Sequence, residues 1–234
     1  MKSSLVNYIV FAAVLCLASA CALDNYDAPG QRLTGRLVFN ETPINLGKGQ
    51  VRIQLWESGW QLKKSIDVAV EPDGSFAALL YNGDYKMVIP RGLGPFVNST
   101  NSETASDTIL LTLRGSQSMD IEVTPYYLIN AASFSSNGTT ASSTFSVQKI
   151  INDANAKDIE RVTLYLNKTQ FVSNGSSLKE ISVNGGDIVD LSNINLSVDL
   201  PSITPAQNYV YGRVGLKVTG IENMIFSPVQ RIDF

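Results

Sequence analysis

Ile66-Asp67-Val68-Ala69-Val70-Glu71-Pro72-Asp73-Gly74-Ser75-Phe76-Ala77-Ala78-Leu79-Leu80 is the stretch whose reading decides the fold. Ile66, Val68 and Val70 alternate with Asp67 and Ala69, and Phe76, Ala78 and Leu80 alternate again after a break. A period of two marks a strand with one buried face, because successive side chains point to opposite sides of the pleat. The break itself, Glu71-Pro72-Asp73-Gly74, has turn chemistry: proline presets one dihedral and glycine accepts positive φ. Strand, turn and strand are predicted here.

The same pattern extends outward. Leu33, Gly35, Leu37 and Phe39 alternate on one side, as do Val51, Ile53 and Leu55 on another segment. A second turn at Asn82-Gly83-Asp84 precedes Tyr85, Met87 and Ile89, and Asp73 and Asp84 both read as turn residues. Ile109, Leu111 and Leu113 lead to a break at Gly115-Ser116, followed by Met119, Ile121 and Val123. No helical period emerges. Roughly seven short strands at regular spacing predict a β-sandwich over residues 32–124.

After Pro125 the composition changes. Asn130 to Thr144 is rich in Ser, Thr, Asn, Gly and Ala, and reads as a linker or an early loop of a second domain. Phe145 and Val147 restart the apolar pattern, and 152–160 reads as a short helical turn. Val162, Leu164 and Leu166 make a strand, two more lie within 181–200, and Tyr209 to Val218 forms a long one before Phe226-Ser227-Pro228-Val229. Residues 125–234 are therefore expected to form a second sandwich. The fold class expected is all-β, with two domains each large enough for its own core.

The N-terminus carries a targeting pattern. Lys2 supplies a positive charge, Leu5 to Leu17 is mostly apolar, and Ala18-Ser19-Ala20 stands directly before Cys21. The apolar run is too short for a comfortable membrane-spanning helix. It reads as a signal peptide over residues 1–20, with Cys21 as the lipidated first residue of the mature chain. Residues 21–31 read as a polar, acidic tether. Cys16 leaves with the signal, so the mature chain can form no internal disulfide and no cysteine zinc site.

Composition excludes several chemistries. Charged residues are 17% and the formal net charge is −3, with no basic stripe, which argues against nucleic acid as a partner. The chain has no histidine, which closes off Ser-His-Asp and Cys-His nucleophilic sites and every histidine metal site. Six Asn-x-Ser/Thr sequons reflect the Asn, Ser and Thr content of loops. The carboxylates Glu57, Glu71, Asp73, Glu103, Asp107, Asp187 and Asp190 lie largely at turns, where aspartate serves the backbone. No metal site, no cofactor and no enzymatic activity are expected.

Six residues stand out as ligand-binding candidates. Trp56 and Trp60 are the two tryptophans. Val51, Ile53 and Leu55 share a face, so Trp56 should point the other way, either to stack on a sugar ring or to cover a sheet edge or the partner domain. Arg91 and Phe96 bracket the loop Arg91-Gly92-Leu93-Gly94-Pro95-Phe96, which either binds a ligand or is a connection plugged by Phe96. Tyr126 and Tyr127 lie at the domain junction, lining a cleft or gluing the sandwiches together.

Leu33-Thr34-Gly35-Arg36-Leu37, Val51-Arg52-Ile53-Gln54-Leu55, Asp73-Gly74-Ser75-Phe76 and Gly83-Asp84-Tyr85-Lys86 resemble the transthyretin-like or carboxypeptidase-regulatory sandwich. Tyr209 to Val214 with Phe226 to Val229 resembles the final strands of a fibronectin-III or Ig-like sandwich. Together with Leu23-Asp24-Asn25-Tyr26-Asp27-Ala28-Pro29, Val51 to Trp60 and Arg91 to Phe96, the mature chain is similar to a two-domain lipoprotein family of Bacteroidota designated domain of unknown function 3823. That resemblance implies an outer-membrane lipoprotein facing the cell exterior. It implies a role as a glycan-binding or scaffold accessory of a Sus-like uptake system, whose partners are a transporter, a glycan-binding lipoprotein and polysaccharide. The alternative is a structural or adhesive surface protein of the pilus-subunit type. Mass spectrometry of the mature N-terminus checks the anchor: a lipid-modified Cys21 is expected, and an unmodified terminus at Ala22 or beyond would overturn it.

Overall fold

Ten-residue strands at Tyr127–Ser136, Thr140–Lys149 and Tyr209–Val218 are the longest regular elements of the computed structural model, which describes residues 27–59 and 63–234. The N-terminal half comprises β1 (Gln31–Phe39), β2 (Thr42–Pro43), β3 (Arg52–Glu57), β4 (Ile66–Ala69), β5 (Ser75–Leu80), β6 (Gly83–Val88), β7 (Phe96–Asn98), β8 (Ile109–Leu113), β9 (Gln117–Ser118) and β10 (Ile121–Pro125). The C-terminal half comprises β11 (Tyr127–Ser136), β12 (Thr140–Lys149), β13 (Ile159–Asn167), β14 (Lys179–Asn184), β15 (Ile194–Asp199), β16 (Tyr209–Val218), β17 (Ile225–Phe226) and β18 (Gln230–Asp233). One 3₁₀ turn, Gly185–Asp187, interrupts the strands.

Each half is two sheets over one core. In the first, β2-β1-β10-β7, with β5 and β9 also on β1, faces β4-β3-β6-β8. Leu33 and Leu37 of β1 meet Ile53 and Leu55 of β3 and Met87 of β6 between the layers. In the second, β11-β12-β15 faces β14-β13-β16-β17, with β18 also on β16. Phe145 and Leu196 from one layer pack on Leu164, Val214 and Leu216 from the other. Apolar burial of this kind is the main favourable term for a fold without disulfides.

The turn at 71–74 is more than a hairpin. It carries the chain from β4 in one sheet to β5 in the other. Gly74 N–H donates to Glu71 O at 2.9 Å, and the Asp73 carboxylate accepts from Ser75 N–H at 3.0 Å and Ser75 Oγ at 2.7 Å. Gly74 has φ +82°, and a Cβ there would lie 2.6 Å from Ile44 O, so both conformation and space require glycine. Asp84, expected in a turn, is instead a β6 strand residue. Its carboxylate bonds Thr112 Oγ1 and Arg114 across to β8 and beyond it, at 2.9 and 3.1 Å.

Two further expectations are corrected. The Ser/Thr-rich stretch 130–144 is no linker but most of the β11–β12 hairpin. Small hydroxyl side chains make cross-strand bonds on its open face: Ser142 Oγ to Ser197 Oγ at 3.0 Å, and Thr144 Oγ1 to Asn195 Oδ1 at 2.6 Å. Ala141, Phe145 and Val147 alternate inward beneath them, and Asn137 Oδ1 caps the turn by accepting from Thr139 and Thr140 N–H. The 152–160 segment holds no helix. Asp153 makes a turn by accepting from Asn155 N–H at 2.8 Å and Ala156 N–H at 2.9 Å.

Residues 31–234 form one compact unit, because the two sandwiches are joined by more than the chain between them. Phe226 N–H donates to Asn45 O at 3.0 Å, extending β17 onto the 44–50 loop of the first domain. Asn223 Nδ2 donates to Gln50 O at 2.9 Å and also to Leu93 O. Arg213 Nη2 reaches Pro72 O at 3.2 Å. We expect Leu164→Ala, fully buried, to cost about 2–5 kcal/mol in chemical denaturation, while the solvent-facing Leu79→Ala stays within about 0.5 kcal/mol.

Candidate ligand-binding surfaces

Strand β3 turns Ile53 and Leu55 into the core and Trp56 outward, where the indole is 36% exposed. Trp56 pairs in register with Lys86 of β6, and Leu55 with Ile66 of β4. Tyr81, 38% exposed, stands nearby, its carbonyl held by Tyr85 Oη at 3.0 Å. Trp56, Tyr81, Ile66, Glu57, Lys64 and Lys86 line one cleft of about 680 Å³. Two aromatics, an aliphatic side chain and both signs of charge therefore share an open surface on a hydrogen-bonded sheet. Trp60 and Cys21 lie outside the described residues.

Of the remaining sequence candidates, Phe96, Tyr126 and Tyr127 are buried and Arg91 is exposed. Phe96 is buried in the N-terminal core, so it plugs the sandwich and is not a contact residue. Tyr126 and Tyr127 are also corrected: their rings pack into the C-terminal core, neither lining a cleft nor gluing the sandwiches. Tyr127 Oη donates to Lys157 O at 2.7 Å, satisfying the one polar atom of a buried ring. Arg91 is exposed and spends its guanidinium on Asp107, with Nε to Oδ2 at 2.7 Å.

A second cavity, of about 400 Å³, opens at one end of the N-terminal sandwich. Met87, Ile109 and Val123 form part of its apolar lining, and Asp107, Asp120 and Glu122 are among its polar groups. These carboxylates are already engaged. Asp120 accepts from Arg36, Asp107 from Arg91 and Asn98, and Glu122 from Asn40 N–H. Hydrogen bonds from their arginine partners hold the carboxyls of Asp107 and Asp120 below the ordinary range. Bonds from Ser75, Thr112 and Ser192 do the same for Asp73, Asp84 and Asp190. Every described carboxylate with a displaced pKa is displaced downward.

A third cleft lies where the sandwiches meet, beside the buried Arg213. In the sequence Arg213 belongs to the long strand Tyr209 to Val218 and to no binding motif. The available signal was a charged residue inside Tyr209-Val210-Tyr211-Gly212-Arg213-Val214-Gly215-Leu216, a run otherwise free of charge.

These features define a class: a two-domain all-β protein, divided between residues 124 and 127. The chain belongs to the DUF3823 family. The model described as "Protein of unknown function (DUF3823) N-terminal domain" matches residues 31–124, and "Domain of unknown function (DUF3823_C)" matches residues 127–231. A crystal structure of a DUF3823 family protein from Parabacteroides merdae is 32% identical, with 88% of this chain and 100% of that chain covered and a TM-score of 0.76. One from Bacteroides ovatus is 28% identical, with 87% and 98% covered and a TM-score of 0.75. A crystal structure from Bacteroides uniformis, described as a candidate carbohydrate binding protein, is 16% identical, with 88% and 100% covered and a TM-score of 0.67. No curated protein matches the chain.

The depressed carboxylates contribute stability that is lost in acid. A carboxyl whose folded pKa lies below its unfolded value stabilises the fold above the unfolded pKa, near 4, and loses that contribution as pH falls toward the folded value. Thermal melts are expected to hold a steady midpoint from about pH 7 to 5 and to drop below about pH 4. Asp107→Asn should make that acid drop shallower.

Proposed function

We propose that this protein is a lipid-anchored, non-catalytic accessory of an outer-membrane nutrient-uptake system that captures glycan on the outer face of its N-terminal sandwich. The observation that carries the reading is the outward Trp56 indole beside Tyr81 in one cleft. Sugar rings present apolar C–H faces that stack on aromatic rings, and the amines of Lys64 and Lys86 and the carboxylate of Glu57 suit ring hydroxyls. Strand β3 beneath is hydrogen-bonded to β4 on one side and β6 on the other, so the backbone that carries Trp56 is set before ligand arrives and less ordering entropy opposes binding. The description of the Bacteroides uniformis relative is in line with this reading. Cys21, followed by a polar segment, supplies the attachment to the membrane surface in this scheme.

Isothermal titration of the mature chain against a polysaccharide panel tests it. At least one neutral glycan should bind, and Trp56→Ala should weaken that binding about 3- to 10-fold without moving the melting midpoint, as expected for the loss of one stacking contact. Absence of heat with every glycan, alongside co-purification with a transporter, would replace glycan capture with a scaffold role.

A further inference from the structure

We propose that the cleft at the junction of the two sandwiches is a second binding site, one that takes a carboxylated sugar such as a uronate residue of an acidic glycan. It is built from both domains: Lys48, Glu71 and Pro72 come from the first, and Phe171, Ser173 and Arg213 from the second. Its volume of about 320 Å³ suits a single ring with its substituents.

Arg213 sets the ligand's charge. The side chain is only 3% exposed. Nε donates to Ser227 O at 2.8 Å, Nη2 donates to Pro72 O at 3.2 Å, and the guanidinium carbon lies 4.4 Å from the centre of the Phe226 ring. Both acceptors are neutral carbonyls. No carboxylate pairs with Arg213 among the described residues, and Nη1 makes no hydrogen bond there. A buried cation without a counter-charge is costly, and the burial draws this guanidinium down to about 10. The fold retains that charge beside an open cleft, and an anion entering the cleft would compensate it. A guanidinium presents its free N–H groups in a plane that matches a carboxylate.

The other lining groups point to a sugar as the carrier of that carboxylate. Phe171 is 60% exposed, and the ammonium of Lys48 lies 5.1 Å from its ring centre. The phenyl is displayed on a fixed loop. Asn167 Nδ2 donates to Phe171 O at 3.2 Å and Ser176 O at 3.0 Å, and Ser173 and Ser176 exchange two backbone bonds at 3.0 Å. An exposed aromatic held in place offers a stacking surface for a sugar face. Glu71 opposes the two cations with one negative charge, leaving the cleft net positive, and its carboxylate can accept from ring hydroxyls.

That the ligand is a saccharide rests on the reading proposed above, whereas the demand for an anion rests on Arg213. The test uses the full mature chain in calorimetric titration with three probes: a galacturonate trisaccharide, its carboxyl-reduced neutral counterpart, and acetate. The uronate should bind about 10-fold or more tightly than the neutral counterpart, with affinity falling as salt is raised. Phe171→Ala and Lys48→Gln sit at the surface and should each weaken uronate binding several-fold at an unchanged melting midpoint. Leu79→Ala should leave it intact. Equal affinity for the neutral counterpart, or no effect of either cleft variant, would overturn the proposal. Acetate binding as tightly as the uronate would overturn the saccharide assignment. Neutral glycan bound at Trp56 with no uronate binding would overturn the cleft and leave the earlier reading standing.

Discussion

The guanidinium of Arg213 and the carbonyl of Pro72 join the two sandwiches. Pro72 O accepts from Leu46 N–H at 3.0 Å within the first sandwich and from Arg213 Nη2 at 3.2 Å from the second. The same arginine reaches Ser227 O, and Ser227 Oγ accepts from Val214 N–H at 3.0 Å. Backbone groups taken out of water must find partners, and here they find them across the domain boundary. These bonds tie the two sandwiches together within one compact unit, and the cleft between them is lined from both.

This junction explains a feature of the second domain. A sheet in a simple sandwich buries one face, yet Thr163 and Tyr165 of β13 are buried along with Val162, Leu164 and Leu166. The second face is covered by a small separate cluster of Tyr165, Val172, Met224 and Phe226, and β17, which carries Phe226, is tied to Asn45 and Leu46 of the first domain. The close approach of chains also has a cost in sequence freedom. A Cβ on Gly35 would lie 1.8 Å from Met119 O, so β1 and the segment after β9 can meet only through glycine.

Much of the fold was legible. Strands with one apolar face, such as Ile53-Gln54-Leu55 and Phe76-Ala77-Ala78, write their burial directly into the chain as a period of two. Where the pattern was carried by small polar residues it was unreadable. Ser142, Ser143 and Thr144 belong to a central strand, but hydroxyl side chains pair across strands without leaving a hydropathy signal. The candidate site was legible only in part. Trp56 could be assigned to the outer face by parity with Ile53 and Leu55, whereas Phe96, Tyr126 and Tyr127 were open because an aromatic in a loop or junction reads the same whether buried or displayed.

By itself the sequence determined the all-β class, the two-domain division, the absence of histidine, and the parity of each amphipathic strand, since all of these are local or compositional. Only the tertiary structure decided which residues share a surface. Tyr81 joins Trp56, and Phe171 joins Lys48 and Arg213 from positions far apart in the chain. The physical reason is that a cleft is made by non-local packing: its lining depends on sheet order and domain docking, which no short period in the sequence encodes.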